Sequence, residues 1–254
     1  MRLSSKLFLG AIVIIFALVA LALVWGRSAM KREIDTILEG VENVETRTLD
    51  LPSFQSINLE GPFDVRLHSG EGSHRFSAPT VLLDRFRFFV KEDRLEVTSP
   101  NPFLPKGIRM SIDLYIPQLS YINGNGSVFY TTDEALNVSS TLRITMSEEA
   151  KTVLTLAPNN VVKARTFGAS YLELRGETGE LNIETHGTSK ADLYGLSANS
   201  AIAEAEGASS INLVGTASLN LFAEEAASIF YKANETTTVS QKNESTGQIK
   251  RIID

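Results

Sequence analysis

Four ionisable residues at alternating positions are the first candidates for chemistry: Glu184 and His186, then Glu204 and Glu206 twenty residues later. Two carboxylates held close together can work as an acid/base pair on a glycosidic bond, or share a hard cation. Within each pair the residues are two apart, and in a strand that spacing puts side chains on one face. A coil with a pitch of twenty residues would stack both pairs on one wall. The competing reading is a solvated face of ordinary alternating charge, because Thr, Ala, Ser and Lys surround the four and no aromatic platform joins them. Glu184, His186, Glu204 and Glu206 therefore stand as a candidate acidic surface site, with no catalytic residue and no cofactor or metal ligand assigned.

Other motifs carry less. Gly124-Asn125-Gly126 invites a phosphate-loop reading, but no helical pattern follows and no Lys-Ser/Thr is attached. Glycines inside a strand pattern mark a bend or a close backbone approach instead. There is no cysteine, hence no disulfide framework and no thiolate site. The three histidines, His68, His74 and His186, show no metal-binding spacing. The Gly-Ala-Ser triplets lack the second glycine of a nucleophile elbow. No cofactor is expected. A net charge of −6 and a pI near 5.3 exclude the basic footprint of a nucleic-acid binder.

The elements that must position these residues announce themselves by repetition. Gly168-Ala169-Ser170-Tyr171-Leu172 returns as Gly187-Thr188-Ser189-Lys190-Ala191 and as Gly207-Ala208-Ser209-Ser210-Ile211, with a degraded copy at Ala226-Ala227-Ser228-Ile229. The steps are 19, 20 and 19 residues, the period of a stacked repeat whose units cannot bury their apolar faces alone. Alternation of charge and aliphatic residues makes each unit β-structure. Val162, Ala164, Thr166, Gly168, Ser170, Leu172 and Leu174 form one inward set, repeated at Leu181–Leu193 and Ala201–Leu213. Gly124, Gly126, Gly168, Ser170, Gly187, Ser189, Gly207 and Ser209 are the structural rung residues, read as inward bends where two walls meet. Laid backward, the ruler places Ala150 at the position of Gly168 and Gly124 one turn earlier. Laid forward, it places Lys232 where Leu174, Leu193 and Leu213 stand. It also predicts outward columns Phe167, His186, Glu206, Glu225 and Arg165, Glu184, Glu204, Ala223. Turns are expected at Gly176–Gly179, Gly195–Asn199 and Gly215–Ser218. The fold class is all-β, a right-handed parallel β-helix or solenoid.

Ahead of the repeat, strands are expected around Ile57–Leu67, Phe86–Lys91, Arg94–Thr98 and Ile108–Ile116, with a proline-marked loop at Pro100–Pro105. Arg2 and Lys6 precede an uncharged apolar run from Leu7 to Trp25. As a helix rising ~1.5 Å per residue it just spans a ~30 Å hydrocarbon layer, with Trp25 at the boundary. A cleaved signal peptide ending near Ala20-Leu21-Ala22 is the alternative, and the continuing Leu23-Val24-Trp25 favours an uncleaved anchor. Flanking charges leave the orientation open, while the short tail and large polar domain favour export of the C-terminal part. The organisation is a tail at 1–6, a transmembrane helix at 7–25, a stalk at 26–43, the solenoid at 44–234 and a polar cap or tail at 235–254.

The entry Arg47-Thr48-Leu49-Asp50-Leu51-Pro52-Ser53-Phe54-Gln55-Ser56-Ile57, then Gly61-Pro62-Phe63-Asp64-Val65-Arg66-Leu67, resembles the opening of the head GIN domain. Asp93-Arg94-Leu95-Glu96-Val97, the Gly124/Gly126 element and the Gly-Ala-Ser rungs keep that bacterial family's order over about residues 44–234. The resemblance implies a β-helical solenoid in the cell envelope, labelled an auto-transporter adhesin by analogy, with no catalytic residues. The expectation is a non-enzymatic β-solenoid, anchored in the inner membrane through residues 7–25 and facing the periplasm, or exported after cleavage. It would present an adhesive, binding or scaffolding surface to a glycan or protein ligand, with self-association through the solenoid ends. The alternative is a polysaccharide-processing enzyme using the outward acidic cluster.

Overall fold

The computed structural model describes residues 15–16, 18–28, 30–32, 34–35, 40–99, 104 and 107–253. The described residues between 15 and 35 are helical. Among the described residues no helix is long and apolar enough to cross a membrane; residues 7–14 of the expected span lie outside them, as does most of the Pro100–Pro105 loop.

Period-two patterning yields strands from Val44 onward. The first half holds β1 (Val44–Leu49), β2 (Ser56–Glu60), β3 (Phe63–Ser69), β4 (His74–Pro79), β5 (Arg87–Lys91), β6 (Arg94–Thr98), β7 (Met110–Ile116), β8 (Leu119–Asn125) and β9 (Phe129–Thr132). One helical turn, Thr80–Leu83, follows β4. The second half holds β10 (Val138–Met146), β11 (Lys151–Thr155), β12 (Asn159–Thr166), β13 (Tyr171–Thr185), β14 (Lys190–Ala205), β15 (Ser210–Ala223), β16 (Ser228–Ala233), β17 (Thr238–Asn243) and β18 (Gln248–Arg251).

The strands coil into a solenoid with two long faces. On one, β2, β8, β10 and β12 run side by side into the second halves of β13, β14 and β15, and then β17. On the other, β3, β9 and β11 run into the first halves of β13, β14 and β15, then β16 and β18. All these pairings are parallel. The first half departs from a purely parallel coil: β1 with β4, β4 with β7, and β5 with β6 are antiparallel. The β5–β6 reversal has a local cause. Glu92 and Asp93, alone between the strands, both take positive φ (51° and 61°), as a two-residue hairpin turn twisted like its strands requires.

The inward parity holds. Leu142, Ile144, Val162, Ala164, Leu172, Leu174, Leu181, Ile183, Ile211 and Leu213 are buried, each such aliphatic contributing ~1.5–3 kcal/mol by leaving water. Small residues near the corner carry hydroxyls into this core and pair them between turns. Thr166 Oγ1 lies 2.9 Å from Ser189 Oγ, and Thr185 Oγ1 lies 2.9 Å from Ser209 Oγ. Ser170, Ser189 and Ser209 are thus inward, as expected.

The leading glycines are not. Gly168 and Gly187 are exposed and Gly207 is half-buried, with φ of +68°, +75° and +79°. They form the outward corner between the two faces, because reversing the strand's course over one residue needs the left-handed backbone that glycine adopts without strain. Gly126, Glu148, Glu225 and Ser245 take the same conformation and continue the corner column. Its turns are tied by amides of Ala169, Thr188, Ala208 and Ala226, which donate to the carbonyls of Glu148, Gly168, Gly187 and Gly207 at 2.7–2.9 Å.

The ruler is consequently displaced by one pleat at the earlier turns. Met146 pairs with Thr166 and Lys151 with Tyr171, so Glu148 is the counterpart of Gly168, and Ala150 of Ser170. Gly124 pairs with Met146 and is buried, which leaves Gly126 as the corner. A displacement of two residues preserves parity, so apart from the corner glycines the inward set stands. At the far end Tyr231, not Lys232, pairs with Leu213. The segments expected as turns at Gly176–Gly179, Gly195–Asn199 and Gly215–Ser218 lie inside β13, β14 and β15. There the strand bends through a shift in register and its ladder resumes beyond it, and Gly176 (φ +124°) has no Cβ to strike the Leu156 carbonyl.

Candidate functional site

The face built by β8, β10, β12 and the later halves of β13 and β14 carries the acidic residues singled out in the sequence. Parallel registry sets them in two adjacent outward columns. Arg165, Glu184 and Glu204 are opposite one another on successive strands. Phe167, His186 and Glu206 follow the column of Thr166, Thr185 and Ala205 by one residue. The structure therefore places Glu184, His186, Glu204 and Glu206 on one wall.

Two of the carboxylates, Glu184 and Glu206, are held in separate pairs. Arg165 donates to Glu184 Oε1 at 3.0 Å, and its Nε lies 3.0 Å from Oε2. His186 Nδ1 lies 2.8 Å from Glu206 Oε2. The imidazole also stacks on Phe167, with ring centroids 5.1 Å apart and planes 5° apart. Among the described residues no group of three or more acidic or histidine side chains could hold a metal ion. The columns do not continue to Glu225 and Ala223. Ala205 pairs with Ala223, and Glu204 with Phe222, so Glu224 follows Glu206 and Ala223 faces the core. The interval to the last copy is two residues shorter than the one before it, which a fixed spacing could not anticipate.

Beside the acidic columns runs a shallow groove of about 430 Å³, bordered by Tyr121, Arg143, Lys163, Asn182 and Ile202 in one row and Thr145, Arg165, Glu184 and Glu204 in the next. The first row is a true register column: Tyr121 pairs with Arg143, Arg143 with Lys163, Lys163 with Asn182 and Asn182 with Ile202. Arg143 and Lys163 are exposed, and Ile202 is 42% exposed on an otherwise polar face. At the first end the Arg94 guanidinium sits 5.6 Å from the Tyr121 ring centroid. Of this row, Lys163 is legible in the sequence as an outward residue. The signal of the row is present as well, since residues 143, 163, 182 and 202 recur at the repeat interval on the outward parity.

The opposite face is tied more tightly to itself. Lys151 Nζ lies between two rings, 5.0 Å from Phe129 and 5.3 Å from Tyr171, a cation–π arrangement. Tyr171 Oη donates to Glu173 Oε2 at 3.0 Å, and Arg175 holds Glu173 Oε1 at 2.6 Å. Partial burial and the Glu173 carboxylate push the Tyr171 phenol up to about 12. Burial pushes Glu173 up, but the bonds from Tyr171 and Arg175 outweigh it and hold the carboxyl below its ordinary value. Arg109 grips Asp64 through Nε and Nη2 at 2.6–3.0 Å.

Residues 53–234 match the family model described as "Putative auto-transporter adhesin, head GIN domain". No curated protein matches the chain by sequence. Solved structures share the fold. A "putative adhesin" from Bacteroides fragilis NCTC 9343 superposes with a TM-score of 0.70 at 18% identity, covering 84% of this chain and 99% of that one. A "putative adhesin" from Parabacteroides merdae ATCC 43184 gives 0.64 at 15% identity, covering 84% and 98%. A "putative lipid binding protein" from Parabacteroides distasonis ATCC 8503 gives 0.62 at 13% identity, again covering 84% and 98%.

Proposed function

The chain belongs to the head GIN domain family, and from that premise we propose that it is an envelope-anchored, non-enzymatic β-solenoid displaying a binding surface outside the cytoplasm. One observation carries this reading: a flat parallel face holds an open groove, and of the carboxylates on it Glu184 is bound by Arg165 and Glu206 by His186, while Glu204 stands opposite Glu184 on the next strand. A general acid and base would need two carboxylates converging on one bond. A row of unlike side chains at the ~4.8 Å strand spacing suits recognition of an extended ligand.

Anchoring is supported by the described helical residues Ile15, Phe16, Leu18, Val19, Leu21, Leu23, Val24 and Trp25, all more than half exposed. Apolar side chains in that number call for a nonaqueous partner, and a bilayer reached through residues 7–25 supplies one. The solenoid ends offer a second contact, because among the described residues β17 pairs with β15 and β18 with β16, each along one edge, and an open edge can take another strand.

The test is retention of the full chain, in mild detergent, on immobilised envelope and host-surface fractions, alongside a turnover screen on the same glycans. Retention without turnover is the expected outcome. Glycan cleavage that disappears in Glu184→Gln or Glu206→Gln would overturn the non-enzymatic reading.

A further inference from the structure

We infer that the groove along Tyr121, Arg143, Lys163, Asn182 and Ile202 is a binding site for an acidic polysaccharide, an inference that rests on the binding role proposed above. Arg143 and Lys163 are cross-strand partners, so their heads rise from neighbouring strands ~4.8 Å apart and can close on one carboxylate or sulfate. Both are exposed. The third cation of the groove, Arg165, is by contrast already bound to Glu184. Charge-assisted hydrogen bonds from a guanidinium and an ammonium are the usual means of holding such a group.

The rest of the row selects a sugar chain over other anions. Tyr121 at one end and Ile202 at the other give apolar surfaces on which a pyranose face can lie, and Asn182 between them both donates and accepts. The row crosses five strands, or roughly 19 Å at the usual strand spacing, which is the reach of an oligomer and not of a single ion. Glu184 and Glu204 line the parallel row, where carboxylates can accept hydrogen bonds from sugar hydroxyls. A groove admits a single chain, whereas a bilayer of acidic lipid is a continuous surface that would also press on the carboxylates of Glu184 and Glu204.

Oligogalacturonate is the probe, titrated by calorimetry into the full chain in mild detergent. A neutral cello-oligosaccharide of equal length and phosphatidylglycerol vesicles serve as the other arms. The wild type is expected to bind oligogalacturonate with an affinity that falls as salt rises, and to bind the two controls at least tenfold more weakly. Arg143→Gln and Lys163→Gln should each cost about tenfold, the worth of one charge-assisted bond. Lys190→Gln, on the opposite face, should cost nothing. Unchanged thermal midpoints would exclude misfolding as the cause, and the exposure of all three positions makes this the expected result.

Stronger binding to the vesicles, equal binding to the neutral sugar, or full binding by the double variant would each overturn the inference. Absence of oligogalacturonate binding by a protein still retained on immobilised surfaces overturns the acidic-polysaccharide ligand and leaves the binding role standing. Absence of both removes the two together.

Discussion

The corner residue is where a single side chain decides most. Gly187 has φ +75°, and a Cβ placed there would come within 3.0 Å of the Gly168 carbonyl oxygen. Gly187→Ala should therefore destabilise the solenoid by ~1–3 kcal/mol, read as a lower urea midpoint at unchanged slope. Glu225 holds the same corner with φ +58° and bears the strain that glycine avoids, so Glu225→Gly should stabilise by ~1 kcal/mol. Opposite signs at two turns of one column would identify the backbone angle, and not the side chain, as the operative quantity. Tyr171 and Glu173 make a second residue-scale prediction, through pH. The phenol is raised to about 12, so the folded state keeps a proton that the unfolded chain releases near 10. Its contribution is complete below pH ~10 and is lost as pH rises towards 12. Glu173 is lowered, so its contribution is complete above the ordinary glutamate range and is lost as pH falls through the lower folded value. Thermal midpoints of Tyr171→Phe should fall less steeply than wild type between pH 10 and 12, and its acid unfolding should begin at a higher pH.

At the scale of the strand and turn, the repeat behaves as a unit that can be removed whole. Deleting residues 187–206 joins His186 to Gly207, restoring a corner glycine after one complete turn. Parity and corner are both preserved, so the shortened chain should fold cooperatively, with a β-type circular-dichroism spectrum and a smaller urea slope. Deleting 187–197 instead shifts the later strands by an odd number and turns their aliphatic faces to solvent, so it should aggregate or stay unfolded. This is also the scale at which the sequence was most and least informative. Parity was readable throughout, because Leu172, Leu193 and Leu213 obey a period of two whatever the turn length. The place of the corner was harder to read. Glu148 and Glu225 carry no glycine to mark the left-handed backbone, and the ruler slid to Ala150 and Ala226. The bends at Gly176 and Gly195 resemble turns because the same glycine that would end a strand also lets one fold sharply across a shift in register, after which the ladder resumes. The antiparallel pieces in the first half follow from short reversals such as Glu92-Asp93, whose residue types give no strong turn signal. Of the candidate site, Glu184, His186, Glu204 and Glu206 were legible as one wall. Their division into separate pairs was not, since it depends on where Arg165 and Phe167 fall on the neighbouring strand.

For the molecule as a whole, an exposed apolar helix precedes a groove-bearing solenoid in the chain, and β17 and β18 follow its long strands. Its faces repeat cations, rings, amides and carboxylates at strand spacing, the arrangement of a surface that holds an extended partner. If residues 7–25 anchor the chain, the intact protein should partition into the detergent phase or float with liposomes, whereas a version beginning at residue 44 should stay in the aqueous phase. The measurement that bears most directly on the central claim is retention of the full chain on immobilised envelope and host-surface glycans, with product release followed in the same vessel. The account predicts retention that Arg143→Gln with Lys163→Gln abolishes, and no released sugar. Released oligosaccharide, or the absence of retention on every surface offered, would contradict it.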